Sequence, residues 1–136
     1  MAYWLFKSEP STWSWEDQVA KGAAGEQWDG VRNYQARNNL QAMKKGDQVL
    51  YYHSNEGKEV VGVAKVVKTA YQDPTTEDER WVAVDIKPVK KLKKPVTLQQ
   101  VKQDDRLQNM GLIRQSRLSV MPVTEDEFHM ILAMGK

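Results

Sequence analysis

Between Trp28 and Arg37 the chain places an indole, two guanidiniums, a side-chain amide and a phenol within ten residues: Trp28, Arg32, Asn33, Tyr34 and Arg37, with Gly30 as a pivot. These are the parts needed to hold a flat, hydrogen-bonding ring. Stacking supplies affinity, while forked donors and acceptors read the ring's edge. Each residue also has an ordinary role open to it: Trp28 as core, Asn33 as a helix cap, the arginines as solvated surface. The density of the cluster favours the binding reading.

Two further segments end in polar groups. Tyr3-Trp4-Leu5-Phe6 reads as a buried strand followed by Lys7, Ser8 and Glu9, with Glu9 held extended by Pro10. Asp47–Ser54, DQVLYYHS, reads as a strand with Val49, Tyr51 and His53 on one face and Leu50, Tyr52 and Ser54 on the other. Strand ends fix the backbone while side chains reach a cleft, so Ser8, Glu9, Tyr52, His53 and Ser54 join Trp28, Arg32, Asn33 and Tyr34 as candidate pocket groups. A pocket with one aromatic wall and several hydrogen-bonding groups suits a single flipped nucleobase, selected for in part because a damaged or modified base is cheaper to unpair. Lys7, Arg37, Lys90, Lys91 and Arg117 are the candidate rim for flanking phosphates.

An enzyme reading has less to work with. Glu9 and His53 are the best acid–base pair on offer, and they share only a position at strand ends. The other histidine, His129, has no metal-ligand spacing around it, and neither a P-loop nor a dinucleotide glycine motif is present. No cofactor and no metal are expected.

The composition is consistent with a binding domain. One domain spanning residues 1–136 is long enough to bury a core without disulfides or metals. The absence of cysteine excludes thiolate catalysis and Cys-based metal sites, and suits a reducing compartment. No apolar run approaches about 20 residues, and MAYWLFKSEP lacks the order of charge and apolar run found in a signal peptide. A soluble, monomeric protein without membrane contact is expected, cytoplasmic and, depending on the cell, associated with the nucleoid or the nucleus. The net charge of +2 is too small for a long electrostatic track on duplex phosphate. Five tryptophans against two phenylalanines weight the aromatics toward rings with a polar handle.

The elements that must position these groups follow from local signals. Ser14 caps a helix to about Lys21, with Trp15 and Val19 facing inward. Asn33 caps a second helix that carries Ala36, Leu40 and Met43 on one face and stops at Gly46. The start of that helix offers backbone N–H groups to a phosphate or ring oxygen. Asn55–Lys58 is a hairpin turn and Glu59–Thr69 the return strand, where Gly62 marks a bulge or a close contact. A polar loop, Asp73–Arg80, leads to a strand over Trp81–Ile86. Lys87–Lys94, with five lysines, reads as a lysine-protected edge strand or a phosphate-contacting rim. Thr97/Gln100 and Thr124/Glu127 are capping boxes, Arg117–Val120 is a closing strand, and Phe128, Ile131 and Leu132 face inward from the last helix. Five to six short, mostly antiparallel strands with three to four short helices make an α+β fold on a barrel-like sheet.

YWLFKSEP, WSWED, W-D-GVRNYQARNNL, GDQVLYYHSN, VVGVAKVV and RLSVMPVT together resemble the EVE domain of the thymocyte nuclear protein family and its bacterial relatives, over residues 2 to about 128. The resemblance implies a PUA-like pseudo-barrel and a reader of modified bases in DNA, with 5-methylcytosine and 5-hydroxymethylcytosine as candidates. It also implies that Trp28 is the pocket's aromatic wall, that Lys7-Ser8-Glu9 lines the pocket as the Lys-Ser segment of YTH domains does, and that Arg32, Asn33, Tyr34, Tyr52, His53 and Ser54 complete it. No second cage tryptophan is matched, which favours reading the base by hydrogen bonds to its edge. Other PUA-like domains bind RNA, so an RNA- or tRNA-binding module is the alternative.

Overall fold

A computed structural model describes residues 2–8, 15, 26–28, 33–54, 57–115 and 118–136, with the backbone alone for 26–28. Among the described residues six strands form one mixed sheet in the order β2-β5-β4-β3-β1-β6. They are β1 Tyr3–Ser8, β2 Glu26–Trp28, β3 Gln48–His53, β4 Glu59–Gln72, β5 Val82–Thr97 and β6 Val120–Val123. Four α-helices lie wholly within the described residues: α1 Tyr34–Ala42, α2 Leu98–Gln103, α3 Gly111–Arg114 and α4 Glu125–Met134, with a 3-10 turn at Asp105–Leu107. All neighbouring strands pair antiparallel except β1 with β3. A parallel pair needs a long crossover, and the chain from Glu9 to Asp47, which includes β2 and α1, supplies it.

β1 runs two residues further than the apolar run suggests, because Lys7 and Ser8 stay in parallel register opposite Tyr52 and His53. β3 lies between β4 and β1, and Val49, Leu50, Tyr51 and Tyr52 are buried on both of its faces. β4 and β5 make a long, irregular hairpin with four register shifts. Gly62 sits at one of them and also passes close under an indole: a Cβ there would lie 2.6 Å from the ring of Trp15. Trp15 is helical and only 2 % exposed, in edge contact with Tyr51. The rest of the helix expected from Ser14 to Lys21, Val19 included, falls outside the described residues.

The lysine segment is not a separate strand but the middle of β5. Only Val84–Ile86 pair with β2, so among the described residues one side of β5 is an edge from Lys87 onward. This explains how Pro88 and Pro95 are tolerated within it. The closing strand is Val120–Val123 rather than Arg117–Val120. Leu118 is buried, but Ser119 is a bend whose carbonyl accepts the N–H of Lys7 at 2.9 Å. Both capping boxes form as expected. Phe128 and Ile131 are buried, with Leu132 partly so.

α1 carries Ala36 and Leu40 into the core and ends at Ala42 with Met43 as its cap, about one turn short of the expected stop. Gly46 adopts φ +95° in the tight turn that follows the helix, which is the conformation its lack of a side chain permits. The helix packs on β6, β5 and β4. On one flank Asn39 Nδ2 donates to the Val120 carbonyl at 2.7 Å, and on the other Tyr34 rests on Trp81, just ahead of β5. α1 therefore spans from the β6 edge of the sheet to the start of β5, near β2.

Candidate functional site

The described site residues fall into two groups. The first lies at the adjoining ends of β1 and β3. The Ser54 N–H donates to the Ser8 carbonyl at 2.9 Å, and Ser8 and His53 are register partners. Ser8 is buried, while His53 and Ser54 are half-buried. His53 Nε2 accepts the backbone N–H of Trp15 at 3.0 Å, so the neutral imidazole carries its proton on Nδ1. Tyr52, 3 % exposed, has its phenol pushed up to about 12 by burial and stays protonated across the neutral range. Burial also lowers the ammonium pKa of half-buried Lys7, since a charge taken partly out of water is disfavoured.

The second group gathers where β2, β5 and the start of α1 meet. The Trp28 backbone pairs with Val84 in β2, an element that sequence reasoning misses because three residues carry too little alternation to read. Asn33 caps α1 through its Oδ1, which accepts the Ala36 N–H at 2.9 Å. Its carbonyl oxygen is thereby committed, leaving the amide N–H groups for any ligand. Tyr34, 52 % exposed, stacks on Trp81 with centroids 5.1 Å apart and planes at 31°. The Arg37 guanidinium lies 5.1 Å from the Tyr34 centroid, and Arg80 Nη1 donates to the Tyr34 hydroxyl at 3.0 Å. Arg80 is in turn clamped by Asp78, with Nη2–Oδ2 at 2.5 Å and Nε 3.0 Å from both carboxylate oxygens. That pairing raises the guanidinium pKa further.

Trp81 and Arg80 are functional candidates that sequence reasoning misses, because their partner Tyr34 lies 46 or 47 positions away in the chain. One local signal does exist. Asp73-Pro74-Thr75 is an Asx turn in which buried Asp73 Oδ1 accepts Thr75 N and Oγ1 at 2.8 and 2.6 Å. The Asp73 N–H bonds the Trp81 carbonyl at 3.0 Å, which closes the loop and sets Trp81 in place.

Lys90 and Lys91 are exposed on β5 opposite Val63 and Gly62. Glu9, Arg32 and Arg117 lie outside the described residues, as does the Trp28 side chain. Among the described residues no group of three or more His, Asp or Glu could hold a metal ion, and no helix is long and apolar enough to cross a membrane.

The family model described as the EVE domain matches residues 2–134. The chain is 37% identical to mouse (Mus musculus) thymocyte nuclear protein 1, over 97% of this chain and 73% of that protein. Among solved structures, Rpa0253 of Rhodopseudomonas palustris is 57% identical with a TM-score of 0.95, covering 99% of this chain and 93% of that one. Human THYN1 in complex with 5-methylcytosine-containing DNA is 34% identical with a TM-score of 0.93, covering 100% of this chain and 98% of that one. The fold alone extends to the YTH domain of Zygosaccharomyces rouxii MRB1, at a TM-score of 0.60 and 16% identity over 99% of this chain and 86% of that one. The architecture is thus the α+β, PUA-like pseudo-barrel.

Proposed function

The chain belongs to the EVE domain family, and on that premise we propose that it is a non-enzymatic reader of DNA that accepts one flipped, modified cytosine beside Trp28. The observation that carries this reading is the likeness, along the whole chain, to a relative whose solved structure holds 5-methylcytosine-containing DNA. The polar groups of both clusters suit the task. Tyr52 remains a phenol at neutral pH, and Asn33 keeps amide N–H groups for a ligand once its oxygen is spent on the cap. In this reading Ser8, Glu9, Arg32, His53 and Ser54 surround the base, while Lys7, Lys90, Lys91 and Arg117 contact flanking phosphates.

The acid–base alternative is disfavoured by His53 itself, whose Nε2 is occupied by the Trp15 N–H.

Oligonucleotides of one sequence carrying cytosine, 5-methylcytosine or 5-hydroxymethylcytosine, titrated at one salt concentration, test the proposal. Preference for a modified strand is the expected result. Equal affinities would remove the modification from the reading. Tighter binding of the matching RNA would transfer it to RNA, since the 2′-hydroxyl is what separates the two.

A further inference from the structure

The stack built on Tyr34 is more than a wall for a single base requires. Tyr34 opens α1 with more than half its surface in solvent, yet it is held from three sides by Trp81 beneath, Arg37 across the ring and Arg80 at the hydroxyl. Because Arg80 donates to the Tyr34 oxygen, the hydroxyl proton remains available for another acceptor.

The two arginines differ in what opposes their charge. Arg80 is matched by Asp78, through charge-assisted bonds that make it a strut. Among the described residues Arg37 is held by neutral oxygens: Asn38 Oδ1, at 3.1 Å from Nε and 2.8 Å from Nη2, and the Arg80 carbonyl at 3.4 Å from Nη1. Among the described residues no carboxylate lies against it. A guanidinium ordered by uncharged acceptors, beside a phenol with a proton to give, is prepared for an anion. The exposed part of the Tyr34 ring beside it offers apolar contact to a sugar or the edge of a base. A phosphodiester with its nucleoside combines both chemistries. Glu77 and Glu79 stand exposed in the adjoining loop, so bulk attraction cannot account for binding at this spot, and the contact must be local.

Position supports the assignment. Trp28 pairs with Val84, three residues along from Trp81, about 10 Å at strand spacing. We infer that Tyr34, Arg37 and Trp81 form an outer nucleotide site next to the base pocket. Arg37 and the Tyr34 hydroxyl take the phosphate flanking the flipped base, and the stack takes the neighbouring nucleoside. The inference rests on the reading that Trp28 receives a flipped base.

The test compares wild type with Arg37→Gln, Tyr34→Phe and Tyr34→Ala, and with Lys102→Gln on α2 as the control. Each binds a 12-mer DNA with one 5-methylcytosine and its unmodified twin over a salt series. All three positions are exposed or partly exposed at the surface, and thermal melts matching wild type confirm that each variant folds. Arg37→Gln should weaken binding roughly tenfold, the scale of a lost hydrogen bond to a charged group. It should also lower the slope of log K against log salt by about 0.7–0.9, one phosphate contact. Tyr34→Ala should lose more than Tyr34→Phe. The ratio of modified to unmodified affinity should hold throughout, because phosphate contacts carry no base identity.

Wild-type affinity and slope in Arg37→Gln and Tyr34→Ala would overturn the outer site and leave the reader intact. Collapse of the ratio in Arg37→Gln would overturn it as well, by placing Arg37 in the base pocket. Failure of the wild-type protein to bind either 12-mer would bring down the reader and the outer site together.

Discussion

Asp47 is a carboxylate buried in the fold and kept ionised by its neighbours. Burial on its own would raise its pKa. The N–H of Lys44 at 2.9 Å, the Trp4 indole N–H at 3.0 Å and the N–H of Ala2 at 3.2 Å outweigh that effect and lower it. A depressed folded-state pKa stabilises the protein above the unfolded carboxylate value, near about 3.9, and the contribution is lost as pH falls through the folded value. Asp47→Asn should therefore cost about 2–3 kcal/mol in urea unfolding at pH 7, and the gap to wild type should shrink as the titration is repeated below pH 4. Asn33 allows the same separation on the functional side. Asp caps a helix as well as Asn does, so Asn33→Asp should leave stability within a few tenths of a kcal/mol while removing the amide donors. Binding that survives that change would restrict Asn33 to its cap. For Trp28, replacement by Ala should remove about 1–3 kcal/mol of DNA affinity, the worth of one base stacked on one ring, and unchanged affinity would take the indole out of the pocket.

Among the elements, Gly62 shows how a local irregularity is fixed by a distant side chain. A methyl group there would sit 2.6 Å from the Trp15 ring, at a point where the backbone already shifts register against β5. Gly62→Ala should destabilise by about 1–3 kcal/mol through overpacking, read as a lowered urea midpoint with unchanged slope. That glycine is legible as a bulge or a close contact because glycine weakens a valine-rich strand and persists there where the backbone bends or another group packs against it. The N-cap at Asn33 and the boxes at Thr97 and Thr124 are legible because their chemistry is contained within four residues. What escapes is structure decided by partners far off in sequence. β2 has three residues and owes its existence to Val84–Ile86. α3 and the 3-10 turn are single turns with no amphipathic period to detect. β6 begins at Val120, three residues later than expected, and the bond from the Lys7 N–H to the Ser119 carbonyl is the outermost rung of its register with β1. In the site, Tyr34 and Arg37 are visible as chemistry, whereas Trp81, which supports them, is visible only as the start of a strand.

At the scale of the molecule, a net charge of +2 leaves little for a general hold on DNA, so the phosphate contacts must be local. The five lysines of Lys87–Lys94 are the densest such patch, and they lie where β5 has no partner on the β2 side among the described residues. Lys90 and Lys91 are exposed there, but Lys91 already has an interaction within the fold. Engaged and unengaged lysines should not count equally toward counterion release. If both ammoniums met phosphate in full, replacing the pair by Gln would lower the salt slope by roughly 1.8, at about 0.9 for each contact on duplex DNA. With Lys91 partly committed, the fall should be nearer one. The loss of affinity should also be the same for modified and unmodified DNA, as contacts to the backbone position a strand without reading it. A titration of Lys90→Gln/Lys91→Gln across a salt series measures both quantities. A larger loss on the modified strand would mean that this edge of β5 reaches the base itself, and the pocket would then have to be redrawn toward Gly62 and away from Trp28.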